Sequence, residues 1–263
     1  MQDAIAQRIA FSQRLADAAR GVIRPYFRHR IDVTDKGQAG FYDPVTEADR
    51  KAEEAIRAML AAHFPQDGIL GEEYGETKGA NAFRWVLDPV DGTRAFINGR
   101  HEWGTLIALE KDGEPLLGLL DQPVLGERFL GVNGGAYFLA AGKTQNLAVR
   151  SCAGVAEAVL CSTHPSAYFD ADEKTAFDRL AGKARMSRFG GDCYLFAVLA
   201  MGFADLIVES HICRWDVAAL IPIVEGAGGI ITDWQGRSCE NGGRILAAGD
   251  RRAHAEAMKL LAG

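Results

Sequence analysis

The sequence predicts a layered α/β sandwich (an α+β layered sandwich), with an antiparallel sheet in the N-terminal half and a helix-flanked sheet in the C-terminal half. Three observations carry this expectation. Apolar residues recur at helical spacing in two early segments, short apolar runs separated by turn residues fill the middle of the chain, and strand-like and helix-like stretches alternate from residue 155 onward.

The first helix is expected over roughly 3–29, where Ile5, Ile9, Ala16, Ala19, Ile23 and Phe27 form a rough stripe. A second is expected over 46–63, because Thr46 and Asp49 have the spacing of a capping box and Ala52, Ala55, Ile56, Met59 and Leu60 recur behind them. Gly68-Ile69-Leu70-Gly71 reads as a short strand with Glu72 and Glu73 at its end. Trp85-Val86-Leu87 reads as another, in which Pro89 stops ladder pairing just beyond Asp88. The runs that follow are punctuated by Asp112-Gly113, Leu125-Gly126, Asn133-Gly134-Gly135 and Ala141-Gly142-Lys143, which are hairpin signals and imply an antiparallel sheet. Beyond them come a strand at 158–161, helices around 173–181 and 194–201, a strand at 206–208, and an apolar segment opened by Arg214-Trp215-Asp216. The chain thus divides near residue 150 into subdomains 1–150 and 151–263. No repeat or low-complexity linker separates them, so one catalytic unit with its site at the junction is expected.

With 263 residues, 48% of them hydrophobic, the chain can bury one large core or two tightly joined subdomains. A formal charge of -6 without clustered Lys or Arg argues against a nucleic-acid partner. No apolar run approaches the roughly 20 residues of a membrane span, and Met1-Gln2-Asp3-Ala4 does not open a signal peptide, so a cytoplasmic protein with no membrane partner is expected. Cys152, Cys161, Cys193, Cys213 and Cys239 lack paired spacing and are odd in number, which points to buried thiols rather than disulfides or zinc ligands. The six histidines are scattered without metal spacing.

The most informative stretch is Asp88-Pro89-Val90-Asp91-Gly92-Thr93, which delivers two carboxylates, a turn and a hydroxyl to one point, with Gly92 admitting close approach to a ligand. Two like charges about 4 Å apart repel by roughly 4 kcal/mol at an effective dielectric near 20, so carboxylates gathered there need a counter-charge or raised pKa values. Hard oxygen donors of this kind suit magnesium, manganese or calcium. Each piece alone has a plainer reading: a turn, a solvated Glu72-Glu73 pair, a capping acid at Asp49, a helix N-terminal acid at Asp216, a helix cap at Thr93 or Asp192, and a surface cation at Arg188.

Taken together, Gly71-Glu72-Glu73, the Asp88 to Thr93 segment and Trp215-Asp216 match in order and spacing, and the chain resembles the inositol monophosphatase family of metal-dependent phosphomonoesterases over nearly its whole length. Within that family it is similar to histidinol-phosphate phosphatases at Thr93-Arg94-Ala95-Phe96, Trp103 to Leu109, Gly190-Gly191-Asp192-Cys193-Tyr194 and Glu225 to Gly229; the late acid of that branch commonly follows Pro-Tyr, whereas this chain has Cys213-Arg214-Trp215-Asp216, closer to the broader family. The resemblance implies an inositol monophosphatase-like fold and two or three magnesium ions. Glu72, Asp88 and the Val90 carbonyl would hold one ion, and Asp88, Asp91 and Asp216 a second. It further implies that Glu72 and Thr93 flank the attacking water, that Asp49 accepts the Thr93 hydroxyl, and that the Gly92 and Thr93 amides hold phosphate oxygens. Asp91 and Asp216 would border the substrate, Asp192 and Glu209 would face its organic part, and Arg188 would approach the phosphate or a neighbouring subunit's pocket in a homodimer. The implied substrate is a small phosphate ester, first of all histidinol phosphate, cleaved to histidinol and phosphate in histidine biosynthesis. Inositol-1-monophosphatase or nucleotide 3′-phosphatase activity is the alternative. A catalytically silent relative would have lost a metal ligand, and no such loss is visible.

Overall fold

The computed structural model describes residues 2–37 and 42–263. The chain opens with α1 (Gln2–Ile23) and a 3₁₀ turn (Arg24–Tyr26), then β1 (Val33–Asp35), β2 (Pro44–Thr46), α2 (Glu47–His63), β3 (Gly68–Gly71), β4 (Gly75–Thr77), β5 (Phe83–Asp91) and α3 (Thr93–Ile97). A meander follows, made of β6 (Gly104–Lys111), β7 (Glu114–Gln122), β8 (Glu127–Val132), β9 (Gly135–Ala140) and β10 (Lys143–Asn146). The remainder is β11 (Val159–Ser162), α4 (Pro165–Tyr168), α5 (Ala171–Ala181), β12 (Met186–Phe189), α6 (Tyr194–Ala200), β13 (Leu206–Ile212), α7 (Arg214–Val217), α8 (Leu220–Gly226), β14 (Ile230–Asp233), β15 (Gly243–Ala248) and α9 (Arg251–Ala262).

Among the described residues the strands form a large sheet in the order β10-β9-β8-β7-β6-β5-β3-β4, a smaller one in the order β12-β11-β13-β15-β14, and a β1-β2 pair. Every pairing from β5 to β10 is antiparallel, and each hairpin falls on a turn signal, with Asp112-Gly113, Asn133-Gly134 and Ala141-Gly142 all at positive φ. The smaller sheet is mixed, because β11 runs parallel to both β12 and β13 while β15 is antiparallel to β13 and β14.

Three cores separate these layers. α1 and α2 lay Leu15, Ala19, Ile23, Ala52 and Ile56 on Trp85, Leu87, Ile107 and Leu119 of one face of the large sheet. The other face, with Val86, Leu106, Leu120 and Phe129, meets α6 and α8, which also cover Ile207 and Ala247 of the smaller sheet. α5 and α9 bury Phe177, Leu180, Ala257 and Leu261 against the far side of that sheet. The sandwich is therefore helix, sheet, helix, sheet, helix, and its central core draws side chains from both halves of the chain.

The end of the first helix differs from the sequence expectation. The first helix stops at Ile23 instead of running to 29, because Pro25 has no N–H to donate and disfavours a helical residue before it. Phe27 still packs, its ring 5.6 Å from both Phe96 and Trp103. No described helix is long and apolar enough to cross a membrane.

Candidate metal centre and its cavity

β3 runs parallel to β5 with Gly71 opposite Leu87, and the Glu72 N–H donates to the Leu87 carbonyl at 3.2 Å, so Glu72 leaves its strand at the level of Asp88. The turn is shaped from beneath by Glu53 of α2. Its buried carboxylate accepts the Glu73 N–H at 2.9 Å, the Tyr74 N–H at 3.3 Å and Arg57 Nε at 2.7 Å. A Cβ at Gly71 would lie 2.1 Å from Glu53 Oε1, which is why the residue before the acids has no side chain. Lys36 Nζ donates to Glu72 Oε1 at 2.9 Å and Glu73 Oε1 at 2.8 Å, so this acidic pair faces a cation instead of open solvent.

Pro89 does not end strand β5 as its sequence suggests. Asp88 pairs with Leu106 and Asp91 with Gly104, which leaves Pro89 and Val90 opposite Thr105 alone, a bulge that tolerates the missing proline N–H. Thr105 Oγ1 donates to the Pro89 carbonyl at 2.8 Å, and the Val90 N–H donates to Asp88 Oδ1 at 3.0 Å. The bulge turns Asp88 and Asp91 toward one side. Gly92 then adopts φ +87, a left-handed conformation that starts α3 at Thr93.

Asp216 arrives from the second half as the third residue of α7, where its Oδ2 accepts the Cys213 N–H at 2.7 Å. Asp91 Oδ2 accepts the Cys193 N–H at 2.7 Å, a bond across 102 residues that fastens the bulge to the turn before α6. Asp88, Asp91 and Asp216 thereby bring carboxylate oxygens within 4.8 Å of one another. Burial is the largest cause raising the pKa of all three; repulsion from Glu72, Asp91 and Asp216 adds to it at Asp88, whereas the Cys193 bond opposes it at Asp91. Glu72, also raised by burial and pulled back by Lys36, lies against Asp88 but outside that triad. Clustered, desolvated carboxylates whose ionised form lacks a counter-charge are the donor set that a hard divalent cation fits.

Asp49 closes the capping box of α2 and also touches Thr93. Its Oδ2 accepts the Thr46 N–H at 3.0 Å and the Thr46 hydroxyl, while the Thr46 oxygen accepts the Ala48 N–H at 3.2 Å. Its Oδ1 lies 3.3 Å from Thr93 Oγ1, which also donates to the Val90 carbonyl at 3.0 Å. Burial pushes Asp49 up to about 6.

Glu72, Asp88, Val90, Asp91, Gly92, Thr93 and Asp216 line a cavity of about 280 Å³, together with Thr163, Tyr168, Asp192, Glu209, Ser210 and His211. Glu209 accepts the Thr163 N–H at 2.7 Å and its hydroxyl at 2.9 Å, and burial pushes it up to about 8. Asp192 sits at φ +45 one residue before the N-cap of α6, which has no side-chain cap, so the acid is not spent on the helix. It is held well above the carboxylate range by burial and then by Asp91 and Glu209. Arg188 does not line this cavity: it stands exposed on β12, an edge strand of the smaller sheet. Glu53, Lys36, Thr163 and Tyr168 were not flagged by the sequence, since each reaches the site only through a tertiary contact. Of the histidines, His211 lines the cavity, its Nε2 3.3 Å from Glu173, and His254 Nε2 lies 2.8 Å from the Thr232 hydroxyl. The cysteines are free thiols, buried except for Cys213.

Known proteins share this architecture. A histidinol-phosphatase of Chlorobaculum parvum is 39% identical over 224 residues, covering 85% of this chain and 84% of its own. The chloroplastic bifunctional phosphatase IMPL2 of Arabidopsis thaliana is 41% identical over 263 residues, 96% of this chain and 74% of its own. The solved inositol monophosphatase from Zymomonas mobilis superposes with a TM-score of 0.87 at 42% identity, over 99% of each chain. The sequence profile of the Inositol monophosphatase family fits residues 5–262, and the chain belongs to that family.

Proposed function

We propose that this chain is a magnesium-dependent phosphomonoesterase that hydrolyses L-histidinol phosphate to L-histidinol and phosphate. The observation that carries the reading is the presence, in one cavity, of the Asp88, Asp91 and Asp216 cluster together with two further acids, Asp192 and Glu209. A phosphate drawn to cations at the first would present its organic end to the second. Histidinol phosphate carries an amine and an imidazole there, cations that would favour ionising these two buried acids and pair with them, whereas inositol phosphate carries only hydroxyls. The histidinol-phosphatase relative supports the same choice.

In this reading Glu72, Asp88 and the Val90 carbonyl would hold one ion and Asp88, Asp91 and Asp216 a second, and a third beside Glu72 would have to displace Lys36. Bound magnesium supplies charge neutralisation on the phosphate oxygens and lowers the pKa of coordinated water. The chain's own part is positional. Thr93 Oγ1 and Glu72 would flank the water, and Asp49 Oδ1 would accept the Thr93 hydrogen bond, in place of the Val90 carbonyl, so that the hydroxyl oxygen faces the nucleophile. The Gly92 and Thr93 amides fix phosphate oxygens without a basic side chain. Asp192 and Glu209 orient the organic part. Subdomains 1–150 and 151–263 act as one unit, in a cytoplasmic homodimer where Arg188, absent from its own cavity, reaches toward the neighbouring copy's. The deciding experiment is steady-state hydrolysis of histidinol phosphate, inositol 1-phosphate and a nucleoside 3′-phosphate by EDTA-treated protein with and without added magnesium. Preference for histidinol phosphate by kcat/KM is expected, and a strong preference for either competitor would overturn the substrate assignment.

A further inference from the structure

The organic end of the cavity contains an aromatic ring whose placement the acids do not explain. α4 is a single turn started by Pro165, and it ends on Tyr168, which lines the cavity together with Thr163, Asp192 and Glu209. The next residue turns the opposite way: Phe169 packs on Phe177 at 5.5 Å and Trp234 at 5.9 Å, anchoring the end of the turn in the outer core. From the other half of the chain, Arg94 sets its guanidinium carbon 4.7 Å from the Tyr168 ring centroid. The same guanidinium donates to the Tyr42 carbonyl and lies 5.9 Å from the Tyr42 ring. Tyr168 is thus set at the end of its helical turn with a tethered arginine against its ring.

We propose that Tyr168, held by Arg94, is a specificity-determining residue that contacts a flat nitrogen heterocycle on the substrate, while Asp192 and Glu209 take its N–H groups. The inference rests on the functional reading above and adds what selects the ring itself. Aromatic pairs prefer offset or edge-to-face contact, and a ring against Tyr168 gains that contact where a polyol gains none. Both Thr163 bonds to Glu209 fall on Oε1, which anchors that oxygen in the cavity that Tyr168 also lines. Carboxylates alone would accept any amine or hydroxyl, so the aromatic wall is the element that discriminates by shape.

The test uses full-length protein with magnesium and the variants Tyr168→Phe, Tyr168→Leu and Tyr168→Ala, the leucine keeping apolar volume should the alanine fold poorly. kcat and KM are measured on histidinol phosphate and on glycerol 2-phosphate or inositol 1-phosphate. Histidinol and inorganic phosphate are then compared as inhibitors, since histidinol reads the organic end alone. The expected result is a 10- to 100-fold rise in KM for histidinol phosphate and in the histidinol inhibition constant for the leucine and alanine variants. Effects on the polyol ester and on phosphate inhibition should be at least tenfold smaller, and phenylalanine should restore most of the loss. An unchanged histidinol constant in Tyr168→Leu, or parallel losses for histidinol and phosphate, would overturn the inference while leaving the phosphatase reading intact. Wild-type protein that cleaves the polyol ester but not histidinol phosphate would overturn the substrate reading and this inference with it.

Discussion

Thr93 Oγ1 and Asp49 Oδ1 lie 3.3 Å apart, and this one contact joins the first turn of α3 to the first turn of α2 across 44 residues. The other Asp49 oxygen is occupied by Thr46, so a single carboxylate both closes a capping box and reaches Thr93, which lines the cavity. Asn in its place can still accept the Thr46 N–H but cannot act as an anionic acceptor for the hydroxyl. Asp49→Asn is expected to lower kcat by about 10²- to 10³-fold at pH 7.5, the scale of losing a positioned acid-base group. The sign for stability follows from the raised pKa. The Asp49 contribution is fully present below its unfolded value near 3.9 and is lost as pH rises through about 6, so the non-titrating variant gains on the wild type above that. Kinetics and thermal melts at pH 5 and 8 separate the roles: a lowered melting temperature with near-normal kcat would reduce Asp49 to a cap.

Asp91→Asn is expected to cut turnover by three orders of magnitude or more without unfolding the protein. The amide oxygen can keep the Cys193 N–H bond, and one member of a mutually repelling triad disappears. Metal-free variant should therefore melt at or above the wild-type temperature. The stabilisation that magnesium gives the wild type, which grows as RT ln(1 + [L]/Kd), should shrink or vanish in the variant. Wild-type activity with magnesium in Asp91→Asn would remove that residue from the ligand set.

Much of this was legible because the informative residues are contiguous. Asp88 to Thr93 is one hexapeptide, and glycines and Asx residues announce the turns of the meander directly. The misreadings come from competition that a linear pattern does not contain. Pro89 looks like a strand terminator, yet a bulge opposite Thr105 absorbs it and pairing resumes at Asp91. The apolar stripe through Phe27 looks helical, yet Pro25 breaks the backbone while Phe27 stays packed. Lys36, Glu53 and Tyr168 left no signal, since a lysine in a loop or an acid in mid-helix acquires its role only when a distant strand end arrives beside it.

Two glycines should respond oppositely to alanine. A Cβ at Gly118 of β7 would lie 1.8 Å from the Ala219 carbonyl oxygen and 2.7 Å from its carbon, backbone atoms at the start of α8 that have no rotamer to change. Gly118→Ala is expected to cost roughly 3 kcal/mol or more, a fall in melting temperature of about 6–12 °C. It should also weaken magnesium binding, because the displaced segment adjoins α7 and carries Asp216 with it. Gly21 in α1 has nothing within 4 Å of its would-be Cβ. Gly21→Ala should stabilise by about 0.5–1 kcal/mol, measured as a rise of a few degrees with unchanged kinetics.

The cavity's carboxyls should make metal-free stability fall with rising pH. Burial raises Asp88, Asp91, Asp192 and Asp216, and Glu209 reaches about 8, so the folded state binds more protons than the unfolded chain through the neutral range. Their contribution is fully present below about pH 4 and is lost as pH climbs through the folded values. Glu102, Glu173 and Asp233 are shifted downward and act in the opposite sense, but only in acid, below the ordinary carboxylate range. Melting temperature in EDTA should therefore decline from about pH 5 to 8. Saturating magnesium should flatten that decline, since a cation bound to ionised Asp88, Asp91 and Asp216 removes the penalty for ionising them, and the gap between the two curves should widen with pH. Asp192 and Glu209 are not members of that triad, so a residual slope should survive metal and shrink in Glu209→Gln. Parallel curves with and without magnesium would mean that the ion binds elsewhere, and the triad would then be a structural cluster alone.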